Sequence, residues 1–245
     1  MGFSTKAAFT IAATLLAIGP LAQGADLQTD INSRSFSVNL GATRIVYPQK
    51  SSGEQLSVSN LQDYPILVQS SVTGEDNKSA APFLVTPPLF RLEAHQQSRL
   101  RVIRTDDNLP TDRESLFWLC VKAVPPSDDH ATTAPEKVSL AINMAVNTCE
   151  KILYRPSGLK GTAEEAAGSL EWSRHNNTLQ VFNKTPFYMN LKSLIIGKTE
   201  LHEGSYISPY GQVSWSIPAG ADGDVIWTVI NDQGGESRRF KVALM

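Results

Sequence analysis

The sequence is short of long apolar runs, histidine, cysteine, net charge and helical periodicity, and each shortage removes a class of function. Beyond residue 24 no stretch reaches the roughly 20 apolar residues of a membrane-spanning helix, so no membrane insertion is expected. A formal charge of −2 over 245 residues, with no basic run interleaved with aromatics, leaves no electrostatic footprint for nucleic acid. The four histidines, His95, His130, His175 and His202, lie outside any His-Glu-x-x-His pair. There is no Gly-x-Ser-x-Gly elbow and no Gly-rich loop opening a helix. Asp128-Asp129-His130 is a loose grouping that reads as a solvated loop. No catalytic group, metal or cofactor is therefore assigned, and an enzyme is not expected. A hydrolase with scattered catalytic residues is the least favoured reading. Long apolar repeats of helical period are missing too, apart from a short helical turn over residues 163–167.

At the start of the chain, Lys6 precedes an apolar stretch at residues 7–18, broken only by Thr10 and Thr14. Gly19-Pro20 ends it, and Ala22-Gln23-Gly24 supplies small residues at cleavage spacing. Residues 1–24 read as a secretory signal cut after Gly24. In an exported chain the pair Cys120 and Cys149 is expected to form a disulfide. Residues 25–245 are enough for two domains of about 100 residues each. Short alternating segments dominate: 35–39, 56–58, 66–72, 100–103 and 116–124, then 179–182, 188–196, 213–217, 225–230 and 239–244. The turn clusters Ser51-Ser52-Gly53, Gly74-Glu75-Asp76-Asn77 and Asp106-Asp107-Asn108 punctuate the first half. This pattern predicts an all-β chain of antiparallel sandwiches. Pro156-Ser157-Gly158 ends the strand 152–154 and divides the chain into domains 25–156 and 157–245.

The strongest single signal is period-2 alternation over residues 138–147. Val138, Leu140, Ile142, Met144 and Val146 are large and apolar, and the residues between them are small or polar. A polar loop, 127–137, precedes this strand and is expected to be mobile when unliganded. Lys151 follows it, and Arg44 lies far upstream before Ile45-Val46-Tyr47. Alternate apolar side chains beside cations suit capture of another chain's strand and its terminal carboxylate. On pattern alone an ordinary sandwich strand with one buried face is the commoner explanation, and an exported two-domain adhesin or structural β-protein would use it so. Parity raises an obstacle: Lys151 is an odd number of steps from Val146. A bulge near Thr148 or Cys149 is expected to bring it round.

Residues 109–126 (LPTDRESLFWLCVKAVPP) resemble the signature of the periplasmic pilus-assembly chaperones, the PapD-like family. Residues 44–48 (RIVYP), 86–92 (TPPLFRL), 151–156 (KILYRP) and 231–235 (NDQGG) support the resemblance. The cysteine pair is similar to that of the subfamily with a long loop before its seventh strand, which builds thin or capsule-like fibres. The resemblance implies two immunoglobulin-like domains set at an angle. It also implies a periplasmic chaperone that completes fimbrial or fibre subunits by donor-strand complementation, prevents their aggregation and delivers them to an outer-membrane usher. The donor would be Val138, Leu140, Ile142, Met144 and Val146. Arg44 and Lys151 would anchor the subunit's C-terminal carboxylate. Glu114, Arg155 and Asp232 would form an interdomain ion cluster. Self-association of the free protein through the same apolar edge is a further expectation.

Overall fold

Period-2 alternation builds both halves of the computed structural model, which describes residues 30–125, 139–201 and 206–244. In the first half the strands are β1 (Asp30–Phe36), β2 (Asn39–Leu40), β3 (Arg44–Pro48), β4 (Glu54–Ser59), β5 (Ile66–Gly74), β6 (Phe83–Thr86), β7 (Leu89–Leu92), β8 (Gln97–Arg104), β9 (Ser115–Val124), β10 (Ser139–Ala145) and β11 (Asn147–Arg155). One sheet runs β3-β11-β9-β5-β7 and faces a second, β2-β4-β8-β6. Leu56, Val58, Leu100 and Val102 meet Val68, Leu119, Val121 and Ile152 between them, all fully buried. Strands β1 and β10 pair as a separate two-stranded ribbon.

The second half opens on a four-residue helix, α1 (Ala163–Ala166), with a reciprocal cap. Thr162 Oγ1 accepts from the Glu165 amide, and Glu165 Oε2 accepts from the Thr162 amide. Eight strands follow: β12 (Glu171–His175), β13 (Thr178–Phe182), β14 (Met189–Ile196), β15 (Thr199–Glu200), β16 (Tyr206–Ile207), β17 (Gln212–Ser216), β18 (Val225–Val229) and β19 (Phe240–Val242). They form the sheets β12-β13-β17 and β15-β14-β18-β19, with β16 on β14. Leu179, Val181, Met189, Ile196 and Trp227 lie in the second core. The all-β, two-sandwich expectation is borne out.

Three expectations need correction. The sandwiches are not wholly antiparallel: β3 pairs parallel with β11, and β1 with β10. Tight turns force neighbouring strands to be antiparallel, whereas β3 and β11 are separated by most of the domain and carry no such constraint. Strands β6, β7, β12, β15 and β16 escaped the sequence pattern. The first two hold four residues each and flank Pro87-Pro88, which breaks the alternation. The strand read at 152–154 begins at Asn147, because Thr148, Cys149, Glu150 and Lys151 are held in the ladder by β9 although none is a large aliphatic residue. The leader at 1–24, the loop at 127–137 with Asp128, Asp129 and His130, and Val138 lie outside the described residues.

Candidate functional site

Alternation along β3 and β11 sets up the site. Ile45 and Tyr47 on β3, and Ile152 and Tyr154 on β11, fill the first core. The intervening residues must therefore point out of the opposite face of the sheet. There Arg44 is paired with Lys151, and Lys151 with Trp118 of β9, so the three form one row across three strands. This row faces the second domain.

The register from Asn147 to Tyr154 is unbroken, which corrects the expected bulge at Thr148 or Cys149. Lys151 reaches the cleft because it lies on the face away from the core. The apolar stripe of β10 does not need to share that face.

The two cations are buried more than their chemistry favours. Arg44 is 8% exposed. Its Nη1 donates to the Ile230 carbonyl at 3.2 Å, and its buried Nε has no acceptor. The Lys151 ammonium lies 5.4 Å from the Trp118 ring centre and 5.1 Å from that of Tyr206. No hydrogen-bond or ion-pair partner for it occurs among the described residues. Burial pushes the Arg44 guanidinium below its ordinary pKa, against the opposing charges of Asp232, Glu150 and Glu114. Burial and then the Arg44 charge push Lys151 down, against Glu150. Both line a pocket of about 330 Å³ that also takes in Lys192, Glu236 and the Gly234-Gly235 backbone. An unsatisfied buried donor costs about 1–3 kcal/mol, so the pocket favours an anion with oxygens to spare. No grouping of three His, Cys, Asp or Glu fit for a metal occurs among the described residues.

Glu114, Arg155 and Asp232 come together beneath this pocket. Arg155 Nε donates to Glu114 Oε1 at 2.7 Å, and its two terminal nitrogens donate to Asp232 at 2.6 and 2.8 Å. The other Glu114 oxygen accepts the Tyr188 amide at 2.8 Å. Glu114 belongs to the first half and Asp232 and Tyr188 to the second, so the cluster ties the halves together. Burial raises the Glu114 carboxyl above its usual range despite Arg155. Burial alone would lower Arg155, but its two carboxylates outweigh that and hold it above its ordinary value.

Strand β10 is the second part of the site. Ile142, Met144 and Val146 are 42%, 52% and 38% exposed, although all three are large and apolar. One edge of β10 pairs with β1 from Asp30↔Ser139 to Phe36↔Ala145. Its other edge has no ladder partner among the described residues. Leu140 lies on the same strand, opposite Ile31. Cys120 and Cys149 are joined by a disulfide between directly opposed residues of β9 and β11. It pins the strand just where it leaves the sandwich.

Reading the sequence alone missed Glu75, Tyr188, Tyr206 and Lys192. They come from distant segments and meet only in the folded cleft, so no local spacing announces them.

Two family models match the chain, described as "Pili and flagellar-assembly chaperone, PapD N-terminal domain" over residues 37–160 and "Pili assembly chaperone PapD, C-terminal domain" over residues 165–241. The chaperone protein AfaB of Escherichia coli is 47% identical over 220 residues, covering 85% of this chain and 89% of the relative. The crystal structure of the E. coli chaperone DraB superposes with a TM-score of 0.79 at 50% identity, covering 88% of this chain and all of that one. A chain in the structure of the Salmonella enterica SafA pilin in complex with the SafB chaperone does so with a TM-score of 0.81 at 48% identity, with the same coverage.

Proposed function

The chain belongs to the PapD family of pilus-assembly chaperones, and from that premise we propose which of its residues do the work. It is a chaperone of fimbrial subunits that acts by donor-strand complementation. A subunit lacking its last strand exposes a groove and an unpaired backbone edge, both prone to aggregation. The free edge of β10 supplies ladder bonds to such a subunit, and Leu140, Ile142, Met144 and Val146, with Val138 ahead of them, fill the groove. Each apolar side chain contributes about 1.5–3 kcal/mol when fully buried, before association costs.

Arg44 and Lys151 hold the subunit's C-terminal carboxylate. The observation that carries this reading is the pair of under-satisfied cations in one pocket, the Arg44 Nε without an acceptor and the Lys151 ammonium without a hydrogen-bond or ion-pair partner among the described residues, Glu150 acting on it only at longer range. A carboxylate supplies both, with two parallel bonds to a guanidinium fork and a point charge beside it. Glu114, Arg155 and Asp232 fix the cleft by locking the domains, which we divide at Pro156. The protein works in the periplasm after cleavage behind Gly24 and passes its subunit to an outer-membrane usher. No catalytic group or cofactor takes part. Free copies are expected to associate through the same edge until a subunit displaces them.

The test is co-expression with a fimbrial subunit and recovery of the complex from periplasmic extract. Arg44→Ala and Lys151→Ala are each expected to lose recovery by about 10–100-fold, since a hydrogen bond to a charged group is worth about 1.5–3 kcal/mol. Their thermal unfolding should stay near that of the wild type. Recovery equal to wild type in either variant would remove that residue from the anchor. A mature N-terminus other than Ala25 would overturn the cleavage assignment.

A further inference from the structure

Glu75 stands just past the end of β5, exposed, on the first domain, yet most of its contacts run to the cleft. Its carbonyl accepts the Trp118 indole N–H at 3.0 Å. Its carboxylate accepts the Tyr188 hydroxyl at 3.0 Å and the Tyr206 hydroxyl as well. Both tyrosines belong to the second domain, and their rings are 5.8 Å apart. Trp118 and Tyr206 are the two rings that flank the Lys151 ammonium. A single residue thus reaches both walls of the space that the ammonium occupies.

We propose that Glu75, Trp118, Tyr188 and Tyr206 form a positioning frame for Lys151, a second tie across the cleft that holds the ammonium ready for an incoming carboxylate. The proposal rests on the carboxylate reading of the pocket. Its physical need is plain. A lysine with no ion-pair partner at bonding distance has a flexible four-carbon stem and would otherwise wander. The faces of two aromatic rings within about 6 Å attract the cation and restrict it without neutralising it. A carboxylate partner inside the protein would hold it as well, but would compete with the subunit. The frame is separate from the Glu114–Arg155–Asp232 cluster: Tyr188 meets Glu114 through its backbone amide and Glu75 through its hydroxyl. The phenol protons stay in place, because burial and then Glu75 hold the Tyr188 and Tyr206 hydroxyls well above their ordinary pKa.

The test uses the full mature chain carrying 13C-labelled lysine ε-carbons, with the Lys151 signal identified by its loss in Lys151→Arg. Two ring faces should shift the Lys151 ε-methylene protons upfield of every exposed lysine. Trp118→Leu and Tyr206→Leu should each remove part of that shift. Glu75→Gln, at an exposed position that tolerates change, should move it in the same direction. Capture of a co-expressed fimbrial subunit should fall several-fold in Trp118→Leu, and should fall no further when that change is added to Lys151→Ala. A wild-type resonance at the exposed-lysine position would overturn the frame. So would a shift that Glu75→Gln leaves untouched, or a loss of capture by Trp118→Leu that persists undiminished in the Lys151→Ala background. The resonance reads the free protein, so it is independent of capture. Wild-type capture by Lys151→Ala would instead overturn the carboxylate reading itself.

Discussion

Replacing Met144 by aspartate separates a donated strand from an ordinary sandwich strand, because the two assign its side chain to opposite environments. In the free protein Met144 is 52% exposed. An aspartate there keeps its water, and surface substitutions of this kind usually change stability by no more than about 0.5 kcal/mol. For a chain of this size that is a shift of roughly 1–2 °C in the unfolding midpoint. In the complex the same position must be stripped of water in the subunit's groove. About half of the 1.5–3 kcal/mol for burying methionine is then lost, or about 1 kcal/mol. The carboxylate adds more. Its cheapest escape is to take up a proton at pH 7, about three units above its ordinary pKa, which costs about 4 kcal/mol. Together these weaken capture by between 10³- and 10⁴-fold.

The assay pairs subunit recovery with thermal unfolding of monomers kept dilute and checked by sedimentation velocity, since self-association would bury the same residue. Ile142→Asp should behave alike. Val121→Asp, at a position with 0% exposure in β9, is the control for a true core site and should unfold the domain. If Met144→Asp collapses the fold as Val121→Asp does, the strand is plain core and the donor reading fails. If it folds and still captures subunits like wild type, the groove-filling role is wrong.

Capture should also weaken in alkali. Lys151 titrates below the ordinary lysine value in the free protein, and a bound carboxylate raises it, so binding takes up proton and affinity falls as pH rises through the free-state value. A flat alkaline profile that matches Lys151→Ala would refute this. Replacing both cysteines by alanine should destabilise by about 3.5 kcal/mol, the chain-entropy value for a bridge with a sequence separation of 29, measured by urea unfolding. A loss under about 1 kcal/mol would leave the bridge without that role. Arg155→Ala strands a 2%-exposed Glu114 and should cost about 3–5 kcal/mol, with calorimetry resolving two unfolding transitions as the domains uncouple. A single transition at the wild-type temperature would show the cluster to be dispensable.

What the sequence disclosed follows from how local each signal is. The alternation of Ile142, Met144 and Val146 is a property of consecutive residues, and it was legible without any structure. The disulfide needed only two cysteines in an exported chain. Arg44 and Lys151 come from opposite ends of a domain, and the sequence could name both as cations near the strand but not show that they are directly paired. Pairing direction was misread for the same reason: nothing within β3 or β11 says that the two run parallel. The frame around Lys151 was invisible, since Glu75 sits in a turn cluster that reads as solvent-facing, Tyr188 reads as a strand residue of another domain, and Tyr206 falls outside every strand the pattern predicts.

The parity that first counted against Lys151 explains how one strand can do two jobs. From Asn147 to Tyr154 the ladder is regular, so Ile152 and Tyr154 face inward and Lys151 faces the cleft. The Val146 carbonyl accepts the Ala123 amide and its own amide donates to the Phe36 carbonyl, so Val146 joins the β1–β10 ribbon to the main sheet. In the ribbon Ala145 lies opposite the buried Phe36, so Met144 and Ile142 lie on the other face of β10, away from Phe36. On the proposed reading, a subunit's groove takes the exposed stripe of β10 while its carboxylate is held in the cleft at Lys151. The two are set a fixed number of residues apart on one continuous chain. Because a slip of a single residue would turn every large side chain away from the groove, holding the carboxylate also fixes which side chains enter it.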